Sequence, residues 1–70
     1  MNQRQLGDLL RGRRSELGLD QRSLAELARV AQHTVSNLET GRGNPTVRFL
    51  QKLAAAFDTT LEINFRPLAN

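Results

Sequence analysis

The sequence predicts a mainly α-helical domain of four to five short helices, followed by one C-terminal β-strand. Apolar residues recur every three or four positions in several segments of residues 3–58, which is the spacing of an amphipathic helix. Glycine, asparagine and proline fall between those segments and indicate turns. Residues 60–66 alternate apolar and polar side chains, which is typical of a strand. We therefore expect a helical domain over residues 1–58 and a strand with a tail over residues 59–70.

Size and composition exclude several classes of protein. With 70 residues the chain forms one small domain, whose core has little stability to spare. It contains no cysteine, so disulfides and thiolate metal sites are excluded, and a reducing cytoplasm is the expected location. No apolar run approaches the roughly 20 residues that cross a bilayer, and the N-terminus lacks the order of a signal peptide. We expect no membrane contact.

The charge balance is modestly basic. Lys plus Arg is 10 and Asp plus Glu is 7, which gives a net charge of +3, and nine of the ten cations are arginine. Arginine suits bidentate contact with phosphate or guanine. Arginine richness can equally reflect the composition of the genome. Composition alone therefore leaves a polyanion partner open.

The first helix is predicted over Gln3–Leu17. Its apolar stripe consists of Leu6, Leu9, Leu10 and Leu17. Gly7 and Gly12 lower the helix propensity, each by up to about 1 kcal/mol relative to alanine. Gly18 follows directly and can end the helix in a left-handed conformation.

Two shorter helices and a tight turn follow. The helices are predicted over Gln21–Ala28 and Gln32–Glu39, joined by residues 29–31, and Asp20 is the expected N-cap of the first. Val35 and Leu38 mark the inward face of the second. Each helix has about two turns, which is too short for stability in isolation, so the pair must pack on its neighbours. Two helices joined in this way form a helix-turn-helix unit, whose second helix can enter the DNA major groove.

A loop and a fourth helix come next. Residues 40–45, TGRGNP, contain two glycines, an asparagine and a proline, which indicate a loop. Thr46 is the expected N-cap of a helix that runs from Val47 to about Phe57. Its apolar stripe consists of Val47, Leu50, Leu53, Ala54 and Phe57.

The strand is predicted over Thr60–Arg66, with Leu61, Ile63 and Phe65 on its apolar face. A lone strand leaves its backbone N–H and C=O groups without partners. The simplest partner is the same strand of a second copy, related by a twofold axis. The sequence therefore predicts a homodimer formed through these three residues, and a frayed tail is the alternative.

Several spacings together resemble the helix-turn-helix of the phage repressor and Cro-like family, also called the xenobiotic-response-element family. The matching pieces are Arg14 before Gly18, residues 19–25, residues 35–41, Asn44–Pro45, and residues 50–54. The resemblance covers roughly residues 4–58 and implies a lambda-repressor-like DNA-binding domain. Arg29 departs from the pattern, because the family usually has glycine there with a positive φ. The turn is therefore expected to be slightly reshaped, or the preceding helix to run one residue longer.

The resemblance and helix geometry together assign a set of polar residues to double-stranded DNA. These are Gln21, Gln32, His33, Thr34, Ser36, Asn37, Thr40, Arg42 and Asn44. Amide groups can pair with adenine edges, so Gln32, His33 and Asn37 are expected to read bases. The others are expected to contact phosphates or to flank the groove, and a solvated loop charge is the alternative for Arg42. The resemblance also implies a structural ion pair between Arg14 and Glu39.

The resemblance to this family also implies a function. It implies a sequence-specific repressor that binds an inverted-repeat operator as a homodimer. The short chain and its C-terminal strand resemble HipB-type antitoxins, which also bind a toxin protein. The alternatives are a stand-alone repressor without a toxin and a protein-interaction module that no longer reads DNA.

Enzymatic chemistry is not expected. His33 and Ser36 lie on one short helix, but no carboxylate is placed to orient the imidazole. No His or carboxylate cluster has the spacing of metal ligands, and residues 41–43 lack the ending of a phosphate-binding loop. The sequence predicts no catalytic residues, no metal and no cofactor.

Overall fold

The computed structural model describes residues 2–68 and contains, within them, four α-helices. They are α1 (Gln3–Glu16), α2 (Gln21–Ala28), α3 (Gln32–Glu39) and α4 (Val47–Ala56). Helix α3 packs against both α1 and α2, and α2 also packs against α4. The predicted mainly helical, lambda-repressor-like fold is confirmed. Helices α1 and α4 each end one residue earlier than predicted.

Local chemistry fixes the helix starts. The Asp20 carboxylate accepts a hydrogen bond from the Ser23 backbone N–H at 2.7 Å, and the Thr46 hydroxyl accepts one from Phe49 N–H at 3.0 Å. Both predicted N-caps are therefore present, and each contributes about 1 kcal/mol. Helix α1 begins with a capping box between Asn2 and Gln5, which the sequence analysis did not identify.

The turn between α2 and α3 keeps the geometry that usually calls for glycine. Arg29 adopts a left-handed conformation, with φ 57° and ψ 48°. The next residue closes the helix end, because the Val30 N–H donates to the Ala25 carbonyl at 3.0 Å. Arg29 therefore accepts backbone strain, and the turn is not reshaped.

The centre of the core takes one side chain from each of three helices. Leu24 of α2, Val35 of α3 and Leu53 of α4 are fully buried. Leu10 and Phe57 join this cluster, and Leu38 lies inward as predicted. The inner face of α3 is thereby fixed, which leaves its opposite face to solvent.

Some predicted core residues lie at the surface. Leu9, Leu17 and Val47 are exposed. Helix α1 contacts the domain mainly through α3, so only a narrow part of its leucine stripe is covered. Leu9 instead borders a shallow cavity shared with Leu61 and Ile63 of the C-terminal segment.

The predicted strand does not form within residues 2–68. Residues 59–68 contain no β-strand, because the described chain offers no second strand with which their backbone groups could pair. Leu61 is half-buried and shares a cavity with Leu6 and Leu50 of the domain. Phe65, by contrast, is exposed. A strand at this position needs an edge from another chain.

Candidate nucleic-acid interface

The outer face of α3 presents polar side chains to solvent. Gln32, His33 and Asn37 are exposed, while Thr34 and Ser36 are half-buried. Residues 33 and 37 lie one turn apart on the same face. The three residues expected to read bases are therefore accessible, on a helix whose opposite side is packed in the core.

A bidentate ion pair holds the end of α3. Arg14 Nε lies 2.7 Å from Glu39 Oε2, and Arg14 Nη2 donates to Glu39 Oε1 at 2.9 Å. The Glu39 side chain is only 2% exposed and that of Arg14 15%. Arg14 Nη1 also donates to the Leu19 carbonyl at 2.9 Å. The pair joins α1, the turn before α2 and the last turn of α3 with the strong geometry of a guanidinium fork.

Two further side chains complete this cluster. Gln21 Nε2 donates to Glu39 Oε1 at 3.1 Å, and Arg11 Nη2 donates to the Glu39 backbone carbonyl at 3.1 Å. Gln21 was expected to contact a phosphate or to flank the groove; the structure directs its amide toward Glu39. Arg11 is half exposed and also reaches the Glu39 backbone carbonyl. Arg11 could have been found from its position three residues before Arg14, which puts both on one helix face. The family resemblance marked Gln21 for DNA, but no sequence signal indicated its bond to Glu39.

The electrostatics of the cluster favour an ionised Glu39. Burial opposes its charge, but hydrogen bonds from Arg14 and Gln21, together with the charges of Arg14 and Arg11, prevail and lower the pKa of the Glu39 carboxyl. The hydrogen bond to Glu39 in turn raises the pKa of Arg14 despite the cost of burial. The pair is therefore charged throughout the neutral range.

This lowered pKa predicts a pH dependence of stability. A carboxyl whose folded pKa lies below its unfolded value adds stability above the unfolded pKa, here 4.5, and that stability is lost as pH falls through the folded pKa. Urea unfolding of the unmodified protein and of Glu39→Gln between pH 7 and pH 3 tests this. We expect the variant to be less stable at pH 7 and to lose less stability on acidification. Asp20 also has a lowered pKa, but it is common to both proteins. Parallel pH profiles would contradict the assignment.

The α3–α4 loop, residues 40–45, lies beside the exposed face of α3. The Thr40 hydroxyl donates to the carbonyls of Ser36 and Asn37 at 3.1 and 3.0 Å, so it caps α3. The Arg42 backbone N–H donates to the Asn37 carbonyl at 2.8 Å, and the Arg42 side chain is exposed. Asn44 is exposed as well, and its Oδ1 accepts a hydrogen bond from Gln3 of α1.

Helix α3 and this loop form one surface. Thr34, Asn37, Arg42 and Asn44 border the same shallow cleft between α3 and the start of α4. Residues 27–57 contain one carboxylate, that of Glu39, and it is buried in the ion pair. A polyanion at this surface would therefore meet no exposed acidic side chain from α3 or the loop.

Residues 2–68 contain neither a metal-binding cluster nor a membrane-spanning helix. In residues 2–68 no group of three or more His, Cys, Asp or Glu side chains is placed to hold a metal ion. Among the helices of the same residues, none has the length and apolar character needed to cross a membrane.

Comparison with known proteins agrees with this geometry. A family model described as a helix-turn-helix domain matches residues 5–63. The fold is similar to that of the restriction-modification controller protein C.AhdI from Aeromonas hydrophila, with a TM-score of 0.80 and 33% identity over 81% of this chain and 86% of that one. No curated protein matches the chain at a significant level.

Two further solved structures are similar. The clp gene regulator ClgR from Corynebacterium glutamicum gives a TM-score of 0.80 and 32% identity over 84% of this chain and 76% of that chain. SinR, a master regulator for biofilm formation solved in complex with DNA, gives a TM-score of 0.75 and 34% identity over 79% of this chain and 89% of that chain.

Proposed function

Because the chain belongs to the helix-turn-helix domain family and has the fold of phage repressor and Cro-like transcriptional regulators, we propose that it is a sequence-specific repressor. It binds an inverted-repeat site in double-stranded DNA as a homodimer, in the cytoplasm, and acts by binding rather than by catalysis. The observation that carries this proposal is the exposed polar face of α3, formed by Gln32, His33 and Asn37 and flanked by Arg42.

The geometry supports different roles for α3 and for the α3–α4 loop in DNA binding. The amide side chains of α3 suit base edges in the major groove, and the α3–α4 loop suits the phosphate backbone. A dimer would present two such helices about 34 Å apart, in successive major grooves. If each copy neutralises roughly four phosphates, log K falls with log salt with a slope near −7.

Base reading by Asn37 is tested on a DNA site that the unmodified protein itself selects. A binding site is first selected from random oligonucleotides, and affinities for that site and for a scrambled duplex are measured by fluorescence anisotropy. Asn37→Ala is expected to lose about 1–3 kcal/mol of preference for the selected site, because a bidentate adenine contact is removed. Gln51→Ala, which removes an exposed amide from α4, is the control and should keep the preference. Unchanged preference in Asn37→Ala would show that Asn37 does not read a base.

The biological setting is a finer part of the proposal. We propose that the protein is the antitoxin of a toxin–antitoxin module, which binds a toxin protein while the apolar side chains of residues 61–65 join the two copies. The likeness to C.AhdI over most of its length favours the second candidate, a stand-alone regulator without a toxin. Co-purification with the product of the adjacent gene supports the antitoxin, and DNA binding without such a partner supports the stand-alone regulator. A protein that binds a partner and no DNA would be an interaction module.

A further inference from the structure

We propose that Gln3 is a positioning residue for DNA binding, which holds the α3–α4 loop so that Arg42 can reach a phosphate. Gln3 lies 39 residues before Arg42 in the sequence and carries no charge. The inference rests on the proposed function, because it assigns the support of that same DNA-binding surface.

Two hydrogen bonds join Gln3 to the loop. Gln3 Nε2 donates to the Gly43 carbonyl and to Asn44 Oδ1, each at 2.5 Å. The backbone of Gln3 is held in place, because the capping box of Asn2 and Gln5 fixes the first turn of α1 through two hydrogen bonds of 2.8 Å. The amide therefore connects a rigid helix end to the residues that follow Arg42.

The backbone of the loop also rests on α1. Gly41 has a φ of +80°, and a Cβ placed there would lie 3.3 Å from the Arg4 Cα. On the other side, the Arg42 N–H is bonded to the Asn37 carbonyl at the end of α3. Arg42 thus lies between two anchors, the end of α3 before it and the Gln3 amide after it.

Loss of the Gln3 anchor should act through Arg42. With residues 43 and 44 released from α1, the loop samples more conformations, and binding must order it again at an entropic cost. Because Gln3 is neutral, its removal does not change the number of protein charges. A weaker salt dependence after its removal would therefore report a lost Arg42–phosphate contact.

The experiment combines Gln3→Ala and Arg42→Ala in a double-mutant cycle, with the unmodified 70-residue chain as the reference. Anisotropy titrations at several salt concentrations use the selected duplex. Gln3→Ala is expected to weaken binding about 10-fold and to lower the salt slope by about 1 per copy, as Arg42→Ala does. In the Arg42→Ala background, Gln3→Ala should change affinity less than twofold, because the two residues act as a unit.

Two controls separate positioning from general damage. Gln3→Met keeps the length of the side chain without its hydrogen bonds and should behave like Gln3→Ala, whereas Gln51→Ala should bind normally. Thermal unfolding curves should show that all these variants are folded at the temperature of the binding assay, because Gln3 is exposed and its replacement leaves the core intact. Unchanged affinity in Gln3→Ala would overturn the inference. So would a loss of affinity that leaves the salt slope unchanged and is equally large in the Arg42→Ala background, because Gln3 would then act independently of Arg42. No DNA binding by the unmodified protein would overturn the proposed function and this inference together.

Discussion

Replacing Gly7 with alanine is expected to lower the free energy of unfolding by about 3 kcal/mol, the upper end of the usual cost of overpacking. Gly7 is buried where α1 crosses the end of α3. A Cβ at this position would overlap the Leu38 carbonyl oxygen and lie 2.8 Å from the Glu39 carbonyl oxygen. These are backbone atoms, which cannot move aside by a rotamer change, so the two helices must separate.

The same substitution at Gly12 is the matched control. Gly12 lies in the same helix, and a Cβ there would meet no atom within 4 Å. Gly12→Ala is expected to raise stability by about 0.5–1 kcal/mol, because alanine has the higher helix propensity. Urea unfolding curves recorded by circular dichroism give both changes in stability from the shift of the urea midpoint, provided that the variants keep the same dependence of the unfolding free energy on urea. Equal changes in the two variants would show that the close approach of α1 and α3 is not what requires glycine.

The consequences of Gly7→Ala reach the proposed DNA surface. The crossing of α1 and α3 also carries the Arg14–Glu39 ion pair and the Arg11 hydrogen bond to the Glu39 carbonyl. Separation of the helices would strain these contacts and tilt α3. We therefore expect the variant to bind DNA more weakly than its remaining folded fraction alone explains.

Sequence patterns predicted the local features of the fold, which depend on residues close together in the chain. Helix periods and the caps at Asp20 and Thr46 each depend on residues within five positions. The left-handed conformation of Arg29 was not predicted, because a non-glycine residue was expected to avoid it. The side chains that join distant segments were harder to assign. Gln3 and Gln21 bond to groups 41 and 18 residues away, and no local pattern predicts either bond.

The two glycines of α1 illustrate the same limit. In sequence, both lower helix propensity equally, so both were interpreted as weaknesses of the helix. Only the packing of α1 on α3 shows that Gly7 permits a close contact and that Gly12 does not. The base-reading and phosphate roles of the polar surface residues stay predictions, because they depend on contacts with DNA, and the sequence and the fold describe only the protein.

The apolar face of the C-terminal segment leads to the second large expected effect. Ile63 is 60% exposed, Phe65 100% and the nearby Leu9 57%. Exposed apolar side chains gathered in one place commonly mark a protein interface. Pairing with the same segment of a second copy would cover them and would supply the backbone partners that a strand needs.

We expect Ile63→Asp to make the proposed dimer monomeric, because the new carboxylates would be buried face to face across its twofold axis. Operator affinity should fall about 100-fold or more, since the second half-site is then bound as a separate bimolecular event. Light scattering after size exclusion gives the mass, and anisotropy gives the affinity. Asn64→Asp adds the same charge to the neighbouring residue, which alternation places on the other face of the strand, so this control should stay dimeric. A dimeric Ile63→Asp would show that the two copies meet elsewhere. Equal dissociation of both variants would show that the apolar side of this segment is not the side that is buried between the copies.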